Sequence, residues 1–468
     1  MNNFLLKSYL KCKRKAWLDF KGDKKYKSWS AQNSIQIINQ YKNFNLLTNG
    51  NLFSGLKACE RGYKGVIGLK ISQIIKDDLN AVAYPPLLIK SKGRSKWGEY
   101  KYIPVVSKLG RKTTKEHYSE LALCSILLES FEEVSIDHGL VISTFKNKFN
   151  YEKILLNKKL KNKTIDIFSD MVACIKGNIP KITEDRKKCS ICPWKNFCDK
   201  EAKSKGYLTD IDGIGKKTAS TFQTIGILNF KQLAKSNQQF INEKLSKLQQ
   251  TDFEKTTKFI NQSKSYLNGI PIKNKEYKNL SKIVFQEKAG FFVFDIESDP
   301  DEKHDFLYGF ITIKRDKSKE YFNYYEPILN LKNDENTKHV DKIFNKLFSE
   351  NDWPVLHYGE TEKITIMKLA KKASLTTNQI QALNKRFIDL HLLIRETWTL
   401  PIKNYSLKTV ANWIGFKWQG KNVSGSKALF WWIQYNETLN ESFLQKIIEY
   451  NKDDCLATLN IANWLIKN

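Results

Sequence analysis

Two acidic motifs in the C-terminal part of the chain carry its clearest chemistry. The first, FFVFDIES, is an apolar run that ends in Asp295 and Glu297. Side chains alternate across a strand, so acids two apart share a face. Two acids on one face of an apolar strand are costly unless a cation pairs with them. A bound metal would remove that cost; taken alone, the motif also fits a strand running out into solvent. The second motif, EYNKDDCLATLNIANWL, reads as a helix carrying Tyr450, Asp453 and Asp454. Tyr450 and Asp454 are four apart and share a helix face. Between the two, WPVLHYGETEKITIMKLA places Glu362 at the start of an amphipathic helix. RFIDLHLLIRETW then sets Asp389 in an apolar run ahead of NYSLKTVANWIGF.

A second kind of chemistry lies in CSICPWKNFC, which holds Cys189, Cys192 and Cys198 in one short stretch. Two intervening residues let a loop turn two thiolates onto one metal centre, and the third can fold back onto it. A fourth ligand is then needed. Cys12, Cys59, Cys124, Cys174 and Cys455 are the candidates, and Cys12, in the basic and aromatic CKRKAW, is the choice. Thiolates suit iron–sulfur and zinc alike, so the spacing is strong for metal and weak for which metal. A third motif is IDGIGKKTASTFQTIGI. Gly213 and Gly215 allow a tight turn that opens a helix, whose backbone N–H groups can meet phosphate oxygens without reading sequence. Lys216 and Lys217 add charge beside it. A plain pair of helices with a glycine cap has the same pattern.

The elements that must position these residues follow from the rest of the chain. Its 468 residues suit two to four domains. Hydrophobic residues are 41% and charged residues 27%, a packed rather than a disordered composition. The formal charge is +29, and it is unevenly placed. Residues 1–288 hold 54 basic and 26 acidic side chains, whereas residues 289–468 hold 24 and 23. A basic portion beside a near-neutral one suggests a part that grips a polyanion and a separate catalytic or scaffold part. No apolar run reaches membrane-span length, and Lys interrupts the first residues before a signal-peptide core could form. The expected location is cytoplasmic, which argues against a disulfide framework. No G-x-x-x-x-G-K-[ST] stretch occurs, so motor activity would need another protein, such as a helicase.

The pattern predicts a mixed α/β region over 1–200, short helices over 201–270, a linker over 271–288 and a second α/β domain over 289–468. FLLKSYLKCKRKAWLDF has helical spacing, LNAVAYPPLLIK and EYKYIPVVSK read as strands, and HYSELALCSILLESF reads as the next helix. Pro85, Pro86 and Pro104 argue that the strands are edges or bent.

Three resemblances attach to these motifs. The series D-x-E, H-Y-G-x-x-E, D-L, Y-S-L-K and Y-N-x-D-D-C over 289–468 resembles the ribonuclease-H-like 3′–5′ exonucleases, within them the DEDD group with Tyr in its last motif. The resemblance implies that Asp295, Glu297 and Asp454 bind two Mg²⁺ or Mn²⁺ ions, about 3.5–4 Å apart in such sites, that stabilise the attacking and leaving oxygens. Glu362 would fill the third acidic position, where the group usually has Asp, and Tyr450 would orient the attacking water. Asp389 is either a metal neighbour or a structural cap; His357 and Tyr358 would pack beside the site.

The cysteine arrangement resembles RecB-like nucleases that carry an iron–sulfur cluster, which implies a structural [4Fe–4S] cluster on Cys12, Cys189, Cys192 and Cys198, with zinc as the alternative. That family cuts with a carboxylate on one strand and an acid-x-Lys pair on the next. Here Pro86 and Val106 stand at the acidic positions, Lys108 remains, and Glu120 and Cys124 stand on the next helix where the family has Gln and Tyr. The resemblance therefore implies a degenerate restriction-endonuclease-like domain that binds without cutting; Asp77, Asp78 or Asp137 could serve only if the strands are matched differently. IDGIGKKTASTFQTIGI resembles a helix–hairpin–helix. The order of the three parts resembles a family of RecB-like nucleases of bacteria and archaea. It implies a metal-dependent exonuclease acting on DNA, with a helicase or repair protein as a possible partner. A non-catalytic nucleic-acid adaptor and an RNA exonuclease are the competing readings.

Overall fold

The computed structural model describes the chain except for residues 77, 111, 146–147, 185, 249–252, 275–288, 316–320, 332–337 and 421–422. The described chain divides into two compact units, Met1–Ala202 and Lys203–Asn468.

The first unit is a six-stranded sheet with helices. In chain order its strands are β1 (Leu52–Ser54), β2 (Gly65–Ile67), β3 (Ile71–Ile74), β4 (Asn80–Ala83), β5 (Leu87–Ser95), β6 (Gly98–Ser107), β7 (His138–Phe145) and β8 (Lys148–Leu155). The sheet order is β1-β2-β5-β6-β7-β8, and β3 and β4 form a separate hairpin. The helix Lys115–Glu132 packs Leu121, Leu123, Leu127 and Leu128 into the core beside Tyr102 and Val106.

Three expectations change here. The opening helix is two helices, Asn3–Lys11 and Lys13–Lys21, because Cys12 between them is extended (φ −164°, ψ 120°). LNAVAYPPLLIK is two strands, β4 and β5, interrupted at Tyr84–Pro86. The Pro104 strand is not an edge: β6 pairs with β5 on one side and with β7 on the other. The missing N–H is tolerated because pairing to β7 starts one residue later, at Val105.

The second unit holds the short helices of 203–268 together with a five-stranded sheet. Strand β9 (Ile272–Lys273), at the start of the expected linker, pairs with β15 (Trp398–Thr399); the rest of that linker, 275–288, lies outside the described residues. The main strands are β10 (Gly290–Asp299), β11 (His304–Arg315), β12 (Tyr321–Leu329), β13 (Val355–His357) and β14 (Phe387–Asp389). Their order is β12-β11-β10-β13-β14, antiparallel across the first three and parallel across the last three. Phe291 and Val293 face one core with Leu459 and Ile461 of the helix Glu441–Lys467, and Phe292 and Phe294 face the other. A central strand buried on both faces reads as an apolar run, as FFVF does. That burial leaves Asp295 and Glu297 the first polar side chains along β10, on the face covered by the long helix. Among the described residues no helix is long and apolar enough to cross a membrane.

Candidate functional site

Asp295 and Glu297 project from β10 two residues apart, just before the register shift between Glu297 and Ser298. Asp454 reaches them from the helix Glu441–Lys467. One carboxylate oxygen from each of the three lies within 4.8 Å of the others, and among the described residues this is the one such group of metal-ligating side chains. Glu297 and Asp454 are buried and Asp295 is half-buried. Burial raises the Asp295 carboxyl well above the usual range, and Asp454 and Glu297 push it further. Glu297 is raised for the same reasons. Burial lifts Asp454 to about 6, against the pull of hydrogen bonds from Trp418 and Tyr450. Three mutually repelling carboxylates in a desolvated spot form a site short of positive charge. An all-oxygen donor set of this kind suits Mg²⁺ or Mn²⁺ rather than a soft metal.

Each carboxylate is held in place by hydrogen bonds from its neighbours. The Asn451 amide donates to Asp295 Oδ2 at 2.7 Å and also bonds Glu297. The Tyr325 hydroxyl donates to Asn451 Oδ1 at 2.9 Å, so the amide nitrogen is the end that faces the acids. The Trp418 indole donates to Asp454 Oδ1 at 2.6 Å. Tyr450, one turn before Asp454, is buried and hydrogen-bonded to it; burial and the surrounding carboxylates hold its phenol far above the usual range, so it stays protonated. Lys408 Nζ lies 4.7 Å from the Tyr450 ring centre and 5.3 Å from that of Trp418, and bonds the Val423 carbonyl. It is the cation whose field reaches Asp454 and Glu297.

Gly309 of β11 lies opposite Asp295 in the register. A Cβ there would stand 1.7 Å from Asn451 Oδ1 and 2.9 Å from its Cγ. Gly309→Ala is therefore expected to push the amide off the two carboxylates. Removing such an orienting contact costs about 10–100-fold in metal affinity or activity. A Mn²⁺ titration of Gly309→Ala should show that weakening while the fold, read by circular dichroism, persists; wild-type Mn²⁺ affinity would mean Asn451 does not orient the acids.

The other expected residues are placed as follows. Glu362 lies on the helix Glu360–Lys372, buried, close enough for its charge to act on Asp295 and Glu297 but outside the 4.8 Å group. Its Oε2 has no hydrogen-bond partner among the described residues and lies 3.8 Å from His357 Nδ1. His357 Nδ1 contacts the Gly359 carbonyl at 2.6 Å, a contact that selects the tautomer protonated there. Asp389 is a cap: its Oδ1 accepts from His391 N at 2.8 Å, Leu392 N at 3.3 Å and Gly359 N at 3.0 Å. Tyr358 donates to the Tyr405 carbonyl and is structural. Asp453 accepts from Gln419 N at 2.8 Å.

Sequence reasoning gave no role to Asn451 and Lys408, though they stand in the Y-N-x-D-D-C and Y-S-L-K motifs, and did not single out Trp418 or Gly309. Asn451 is three residues before Asp454 on the helix, a spacing that could have marked it; Trp418 and Gly309 come from segments whose approach only the fold shows.

Residues 292–466 match the family model of the RNase_H superfamily. The C-terminal part of the chain carries a ribonuclease-H-like domain. Such a domain is compatible with a nuclease and implies a nucleic-acid substrate. None of the curated proteins matches the chain.

In the first unit, Cys12 sits at the break between the two opening helices, and its charge is among those felt by Cys189 and Cys192. Cys198 feels Cys192 and Cys189 in turn. The loop is tied to the second helix: Trp194 Nε1 donates to Asp19 Oδ1 at 2.9 Å, and Arg14 donates to the Pro180 carbonyl at 2.8 Å and to Glu201 at 2.6 Å. All four thiols are half-buried, whereas Cys59, Cys124 and Cys455 are buried elsewhere. The four sulfurs are not within 4.8 Å as a group. Burial raises the thiols of Cys189, Cys192 and Cys198.

The positions at which the RecB-like resemblance expects acids carry no carboxylate. Pro86 precedes β5, Val106 is buried in the core, and Lys108 bonds Thr113 at 2.9 Å and lies 3.5 Å from Glu152. Glu120 is fully buried, paired with Lys7 at 2.8 Å and bonded by Asn3 at 3.1 Å. Asp137 pairs with His138 and Lys101, Asp78 sits in a turn at φ 59°, and Asp77 lies outside the described residues.

Gly213 has φ 82°, and the helix Lys216–Thr224 starts after Gly215, which provides no side-chain cap. Ile211, Ile214, Ala219 and Phe222 pack inward, while Lys216 and Lys217 are exposed.

Proposed function

We propose that the C-terminal unit is a metal-dependent nuclease, a 3′–5′ exonuclease hydrolysing phosphodiesters of DNA, and that the basic N-terminal unit binds the nucleic acid without cutting it. The convergence of Asp295, Glu297 and Asp454 in a desolvated site carries this reading. These three would hold the divalent ions, with Glu362, buried and with no hydrogen bond to its Oε2 among the described residues, as the adjacent fourth carboxylate. Bound divalent ions supply Lewis acidity to water and neutralise charge on the phosphate. Tyr450, kept protonated, orients the attacking water through its hydroxyl. Asn451 and Trp418 hold the carboxylates in place, and Lys408 offers a positive charge beside the reacting phosphate.

In the N-terminal unit, Cys12, Cys189, Cys192 and Cys198 would hold a [4Fe–4S] cluster, with zinc as the alternative, stapling the start of the unit to its end. The turn Gly213–Gly215 with Lys216 and Lys217 would grip phosphates as a helix–hairpin–helix.

The test is incubation of the purified chain with 5′-labelled and 3′-labelled single strands of DNA and RNA, with Mn²⁺ or with EDTA. The expected result is a metal-dependent ladder from the 5′-labelled DNA and early loss of label from the 3′-labelled DNA. A ladder from RNA alone would make it an RNA exonuclease, and binding without any cleavage would favour the adaptor.

A further inference from the structure

An open groove of about 690 Å³ in the first unit is lined by Lys7, Lys11, Lys15, Lys24, Lys27 and Lys70, with Asp19 as the one carboxylate. Its volume is that of a ligand cleft. Asp19 adds no free negative charge: Lys15 and Lys27 pair with it, the latter at 2.9 Å, and the Trp194 indole donates to it. Lys7 is engaged with Glu120. Among the described residues Lys11, Lys24 and Lys70 form no ion pair, and all three are exposed. Three of the groove's six lysines thus have no ion-pair partner among the described residues.

Its rim is aromatic as well as basic. Phe4 and Phe20 are each 53% exposed, large rings left in water beside the lysines. Phe4 stacks on Tyr84, ring centres 5.8 Å apart and planes 16° off parallel, which fixes its orientation. Lysines that meet phosphates, interleaved with exposed rings that meet base faces, form a platform for an unpaired strand. A duplex keeps its base faces stacked internally, so the rings would find nothing to stack on.

We infer that this groove binds single-stranded nucleic acid, phosphates on Lys11, Lys24 and Lys70 and bases on Phe4 and Phe20. The inference rests on the reading that the substrate is a nucleic acid and adds where and in what form the N-terminal unit holds it.

The experiment uses the full chain in EDTA, so that nothing is cut, and a fluorescein-labelled oligothymidine single strand, read by anisotropy over a salt series. A self-complementary hairpin and inorganic pyrophosphate serve as competitors. Two variants are compared with wild type: K11Q/K24Q/K70Q and F4A/F20A, all at exposed positions, with thermal melts to confirm folding. The lysine variant should bind the strand more than about tenfold more weakly, with the slope of log affinity against log salt reduced by about two. The aromatic variant should lose about tenfold with the slope unchanged.

Wild-type affinity in both variants, with wild type still binding, would overturn the groove alone. No binding of the strand by wild type would overturn the nucleic-acid reading with it. Hairpin bound as tightly as the strand and equally weakened by both variants would overturn the single-strand assignment. Displacement of the strand by millimolar pyrophosphate, with F4A/F20A neutral, would make it a free-phosphate site and overturn the inference.

Discussion

Asp295→Asn is expected to lower cleavage by about a thousandfold, equivalent to about 4 kcal/mol of lost transition-state stabilisation, and at the same time to make the metal-free protein more stable. The two effects have one cause. Without a cation, Asp295, Glu297 and Asp454 repel one another in a desolvated site. An asparagine keeps an oxygen to accept from Asn451 and turns an amide N–H toward the remaining acids, so it relieves the repulsion while withdrawing a ligand.

The pH dependence follows with a definite sign. Asp454 is raised to about 6 in the fold, from an ordinary value of 3.8. A raised carboxyl contributes stability that is complete below pH 3.8 and is lost as pH rises through about 6. A shift of this size is worth about 2–3 kcal/mol. In EDTA the second unit should therefore melt several degrees lower at pH 7.5 than at pH 5, at about 2–4 °C per kcal/mol, and Asp454→Asn, which removes the titrating group, should flatten that difference. Mn²⁺ at pH 7.5 should raise the wild-type melting temperature and leave the variant unmoved. An Asp295→Asn protein that melts lower than wild type in EDTA would show that these carboxylates are not in conflict.

Cys192→Ser is the other substitution with a large expected effect, this time on folding. A structural metal on thiolates contributes about 10 kcal/mol of apparent binding energy, comparable with the whole stability of a domain, about 5–15 kcal/mol. The loop around Cys189–Cys198 is held by a few hydrogen bonds, among them Trp194 to Asp19 of the helix Lys13–Lys21 and Ser28 N, beyond that helix, to the Pro193 carbonyl at 2.9 Å. Burial raises three of the thiols, so they ionise readily only with a metal to take the charge. Protein made and purified without oxygen should be brown, and Cys192→Ser should be colourless and lose the cooperative melt of the first unit. A colourless wild type with stoichiometric zinc would identify zinc on the same ligands. A wild type with neither metal that melts like Cys192→Ser would remove the metal from the account.

What could be read from the residues alone is what short-range geometry dictates. Period-two alternation puts Asp295 and Glu297 on one face of β10, and the i, i+4 spacing puts Tyr450 beside Asp454. The apolar FFVF marks a strand buried on both sides. The contacts that orient the acids were hidden because they are tertiary. Trp418 arrives from a loop, and Gly309 matters only because β11 brings it under Asn451. Asp389 was ambiguous for a related reason. An acid in an apolar run can bind a metal or cap a helix, and only its three backbone donors decide for the cap. In the first unit, no glycine or proline marks the helix break at Cys12, and Pro104 suggested an edge in a strand that is paired on both sides.

The proposed nuclease activity assigns phosphodiester hydrolysis to the carboxylates of β10 and of the last helix. The most direct measurement is hydrolysis of a labelled DNA strand by wild type and by Asp454→Asn, each with Mn²⁺ and with EDTA. The expected result is products only from wild type with Mn²⁺, while the variant still binds the strand. Equal cleavage by Asp454→Asn would contradict it and move the chemistry to another part of the chain.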